Sequence, residues 1–93
     1  MRFAYLIMGH YDEKVDRAEI GGGKAQIIGV PNIEAACQVA RELQADGVDA
    51  IEVCGAFGEE GAGKLAEATG GTIAIGYVVN HPATAEAHKK LFG

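Results

Sequence analysis

Residues 25–54 read AQIIGV, PNIEAACQVARELQADG and VDAIEVC, and this stretch decides the fold. Ala25–Val30 is apolar and stops at Pro31, which has no backbone donor to continue a ladder. Asn32 suits a helix N-cap, because its side chain can accept from the orphan amides of the first turn. Ile33, Ala36, Cys37, Ala40 and Leu43 recur at the three- and four-residue spacing of one helical face, and Glu34, Gln38, Arg41, Glu42 and Gln44 occupy the other. Gly47 fits the left-handed residue that ends such a helix. Val48–Cys54 is then a β-branched strand broken at Gly55. A strand, a helix and a strand joined by such short turns imply parallel pairing with a right-handed crossover.

The rest of the chain extends this pattern in both directions. Residues 2–8 form a nearly unbroken apolar run ended by Gly9, as expected of a strand covered on both faces. Residues 10–24 are polar, finish in Gly21-Gly22-Gly23, and read as a loop with one helical turn. Glu59–Thr69 predicts a second helix, with acids in its first turn and Gly70-Gly71 at its end. Thr72–Val79 predicts a fourth strand, and Pro82 opens a last short helix running through Lys90. The expected architecture is one small α/β domain of four mostly parallel strands with helices packed on the sheet, in the order β-β-α-β-α-β-α.

Composition narrows the function. The 93 residues carry a net charge of −5, and Lys89-Lys90 is the only adjacent basic pair, which argues against a nucleic-acid partner. No apolar run is long enough to span a bilayer, and the acidic, tyrosine-containing sequence after Gly9 is unlike a signal-peptide cleavage site. With two cysteines and no disulfide framework, the expected location is the cytoplasm. A domain this small has a limited core, so a homo-oligomer is expected.

Ligands of parallel α/β sheets bind at the carboxyl ends of the strands. There the sequence places His10 after the first strand, Glu52, Cys54 and Phe57 at and after the third, and Asn80-His81 after the fourth. Glu52 and His81 are the candidate acid–base groups, since a carboxylate within an apolar strand needs a partner or a polar cavity and an imidazole titrates near neutrality. His10, Cys54, Phe57 and Asn80 are the candidate ligand-binding residues. For each histidine the alternative is a structural cap, for Phe57 a place in the core, and for Cys54 a small apolar filler. No close-spaced pair of metal ligands is present and no cofactor motif is complete; Glu59 and Glu60 at the helix start disfavour an anion above Gly55-Ala56-Phe57-Gly58. The expected function is binding of a small polar or carbonyl-containing metabolite, with acid–base catalysis as an extension. The alternative is a non-catalytic assembly or regulatory module that uses the same edge as an interface.

Two resemblances bear on this reading. Gly47-Val48-Asp49-Ala50-Ile51-Glu52-Val53 is similar to a strand entry of α/β-barrel sugar-acid aldolases, in which such a glutamate serves acid–base chemistry; their strand lysine has no counterpart here. Over nearly its full length the chain resembles a family of small prokaryotic proteins of unknown function, through residues 1–9, 22–30 and 54–61. That resemblance implies a self-contained domain and supplies no catalytic residue.

Overall fold

The computed structural model describes all of residues 1–93. Five strands, β1 (Phe3–Met8), β2 (Arg17–Ile20), β3 (Ala25–Val30), β4 (Ala50–Val53) and β5 (Ala74–Tyr77), form one sheet in the order β2-β3-β1-β4-β5. The helices are α1 (Ile33–Ala45), α2 (Gly58–Ala68) and α3 (Ala85–Phe92). β1 lies at the centre, parallel to β3 on one side and β4 on the other, and β5 is parallel to β4. The expected small α/β domain with its four parallel strands is therefore present.

The expected loop 10–24 is different in its second half. Residues 17–20 form β2, which pairs antiparallel with β3 and makes the sheet five-stranded. A 3-10 turn at Gly21–Gly23 reverses the chain, and all three glycines have positive φ, a backbone region that side chains disfavour. Arg17 and Glu19 stand opposite Ile28 and Gln26, in register with the face that α1 covers. Such inward-facing charges keep an edge strand from recruiting further strands.

Alternation along the strands separates two faces. Ala4, Leu6, Ile28, Val30, Ile51 and Val53 are completely buried, facing Ala36, Val39, Ala40 and Leu43 of α1 and Leu65 of α2. The Asn32 side chain accepts from the Ala35 amide at 2.7 Å, as the sequence predicts, and Gly47 takes φ 91° just beyond α1. The Gln44 side chain joins the ends of the two helices by donating to the Thr69 carbonyl at 2.8 Å and to the Thr72 hydroxyl.

The opposite face carries Phe3, Tyr5 and Ile7 of β1, Ala25 and Ile27 of β3, Ala50 and Glu52 of β4, and Ala74 and Gly76 of β5. No helix blankets it. The last helix forms as expected but after a 3-10 turn at Pro82–Thr84, and α3 has no buried residue.

Candidate functional site

The open face ends in a cavity of about 690 Å³ where β1, β4 and β5 finish. Tyr5, Ile7 and Met8 form its β1 wall, Cys54-Gly55-Ala56 the turn after β4, and Val78-Val79-Asn80 the extension of β5. His88 and Phe92, one helical turn apart on α3 with ring centroids 4.8 Å from each other, contribute the remaining wall. The lining is mostly apolar, and its polar groups are the Tyr5 phenol, the Cys54 thiol, the Asn80 amide and the His88 imidazole.

Cys54 is placed by the end of the β1–β4 ladder. Its amide donates to the Leu6 carbonyl at 3.0 Å, and the Met8 amide then donates to the Cys54 sulfur at 3.3 Å. The sulfur thus satisfies a main-chain donor where β4 stops. Tyr5 is the neighbour of Glu52 in register across the sheet. Burial, and after it the negative potential of Cys54 and Glu52, raises the Tyr5 pKa above its usual 10.0, so the phenol remains a hydrogen-bond donor well into alkaline solution.

Of the six candidate residues, Cys54 and Asn80 line this cavity. Glu52 lies on the same face but outside the lining, with its side chain against Gly76: a Cβ added there would meet Glu52 Cγ at 3.4 Å and Oε2 at 3.6 Å. His10 is exposed and outside the lining. His81 is also outside it, and its Nδ1 accepts from the Ala83 amide at 3.0 Å, which caps the turn before α3. Phe57 points into the core between α1 and α2, with its Cβ 3.1 Å from a Cβ built on Gly61. The structure therefore does not join Glu52 and His81 in this cavity.

Sequence reasoning missed Tyr5, His88 and Phe92. For Tyr5 a signal existed, since alternation with Ala4 and Leu6 puts it on the second face. For His88 and Phe92 the signal was their four-residue spacing, which places both on one side of a helix. No group of three or more His, Cys, Asp or Glu side chains is arranged to hold a metal. No helix is long and apolar enough to cross a membrane.

Comparison with curated proteins and with solved structures gives no match. One protein family matches, over residues 1–93, which is the whole chain. With that coverage, and with a fold that forms a single α/β unit over the same residues, the chain belongs to DUF6506, a family of unknown function.

Proposed function

We propose that this domain binds a small molecule with an apolar body and a polar, carbonyl-containing end, in the cavity at the carboxyl ends of β1, β4 and β5. The observation that carries the reading is the chemistry of the lining, which is largely apolar with Tyr5, Asn80 and His88 among its residues. Ligand sites of this type are concave, mainly apolar and about 300–1,000 Å³, with a few polar groups that fix orientation. The apolar lining narrows the expected polar or carbonyl-containing metabolite to one with substantial apolar surface. Tyr5, kept protonated by its surroundings, suits the role of donor to a carbonyl oxygen. The reading assigns binding and no catalytic step, because neither Glu52 nor His81 borders the cavity. It is the reading of a cytoplasmic protein, supported by two cysteines that are both free.

Prodan, a neutral fluorescent naphthalene bearing a ketone, is a suitable probe. Saturable binding with a blue-shifted emission is expected, weakened at least tenfold by Ala56→Trp, which fills the cavity from the β4 turn. Bound prodan is also expected to slow modification of Cys54 by N-ethylmaleimide while leaving Cys37, packed near the Lys64 carbonyl, unaffected. Non-saturable binding, or equal binding by the Ala56→Trp protein, overturns the reading.

A further inference from the structure

Every residue from Tyr77 to Gly93 is exposed, and the hydrogen bonds of this stretch divide at Val78. Val78 is the last residue tied to the sheet, its amide donating to the Val53 carbonyl at 3.0 Å. Beyond it each hydrogen bond has both partners within residues 79–93. The Ala83 amide donates to His81 Nδ1, the Thr84 amide to the His81 carbonyl and the Ala85 amide to the Pro82 carbonyl, so the 3-10 turn and α3 form one unit from His81 to Phe92. Between this unit and the sheet, the main chain of Val79 and Asn80 makes no hydrogen bond.

α3 nevertheless has a side suited to packing. Ala85, His88, Leu91 and Phe92 recur at three- and four-residue spacing, whereas Glu86, Lys89 and Lys90 fall on the opposite side. A helix of eight residues is marginal in water by itself, and in proteins such helices are held by the packing of an apolar face. Here that face meets no core, since Leu91 is 78% exposed and Phe92 76%. It meets instead the cavity of about 690 Å³, to which His88 and Phe92 contribute one wall and Tyr5, Ile7 and Met8 of β1 another.

We propose that α3 is the lid of this cavity. A bound molecule supplies the apolar surface that the helix lacks, and the His81–Phe92 unit turns about Val79-Asn80 to close over it, carrying Leu91 and Phe92 out of water. Lids are drawn from the weakly held parts of a fold, because they must open at little cost. The proposal rests on the reading of the cavity as a ligand site and adds the element that controls entry and release.

Hydrogen–deuterium exchange read by mass spectrometry, with and without saturating prodan, tests it. In the free chain the amides of residues 85–92 are expected to exchange nearly as fast as in an unstructured peptide, and prodan is expected to slow them by about tenfold or more. Leu91→Gln gives an independent reading, because it keeps a good helix former at an exposed residue outside the cavity lining. It is expected to leave the melting temperature of the free protein unchanged and to speed prodan release roughly tenfold, the factor that burial of one leucine side chain supplies. Saturable prodan binding with unchanged exchange in α3 overturns the lid and leaves the binding reading standing, whereas the absence of saturable binding overturns both. Release from Leu91→Gln at the wild-type rate also overturns the lid.

Discussion

At the residue scale, Tyr5 links the open face to the chemistry of the cavity. It sits on the central strand, opposite Ile27 on one side and Glu52 on the other. Its pKa is raised in the folded chain, first by burial and then by Cys54 and Glu52. Because the folded state holds this proton more tightly than the unfolded state, the contribution to stability is complete below pH 10 and is lost as pH rises through the folded value. Thermal unfolding of the wild type should therefore lose stability more steeply above pH 10 than that of Tyr5→Phe. Parallel melting curves across the alkaline range would contradict the assignment.

At the element scale, Gly29 shows how the 10–16 segment is tied to the sheet. A Cβ built on Gly29 would come within 2.5 Å of the Tyr11 ring, so the Tyr11 side chain lies directly against the β3 backbone. The Gly29 amide also donates to the Asp16 carbonyl at 2.8 Å, which anchors the segment just before β2. Gly29→Ala forces Tyr11 off the strand and is expected to cost about 1–3 kcal/mol, as overpacking does. In a Tyr11→Ala background the same substitution should cost much less, and a double-mutant cycle in denaturant measures the difference. Equal costs in both backgrounds would show that the contact does not determine the conformation.

Elements marked by local chemistry were legible in the sequence. Pro31, Asn32 and Gly47 bracket α1, and β3 occupies the predicted residues 25–30. β2 was not legible, because Arg17-Ala18-Glu19-Ile20 puts its charges toward the helix-covered side and its apolar residues outward, the reverse of the usual pattern. The site divides in the same way. Cys54 and Asn80 follow from their positions at strand ends, which chain order reveals. His88 and Phe92 line the cavity only because α3 lies beside the second face, and chain order alone does not reveal that placement.

At the scale of the whole molecule, one layer of helices against one face of the sheet leaves a core of 14 buried apolar residues. With so few residues sharing the stabilisation, each is costly to shorten. Leu6→Ala, at a fully buried position on the central strand, is expected to cost about 2–5 kcal/mol. Against the roughly 5–15 kcal/mol that holds a typical domain together, this should lower the melting temperature by at least about 8 °C or abolish cooperative unfolding. A melting curve within a few degrees of wild type would mean that the core is not centred on β1.

The central position of β1 also bears on the chain's birth. Phe3–Met8 precedes both of its neighbours in chain order, since β3 and β4 follow only with residues 25–30 and 50–53. This apolar strand therefore lacks its first partner until residue 30 has been made and its second until more than half of the 93 residues are translated. Such exposed segments are aggregation-prone and are what chaperones bind. In the nascent chain the 10–24 segment, polar and rich in glycine, separates this waiting strand from the first partner it can take.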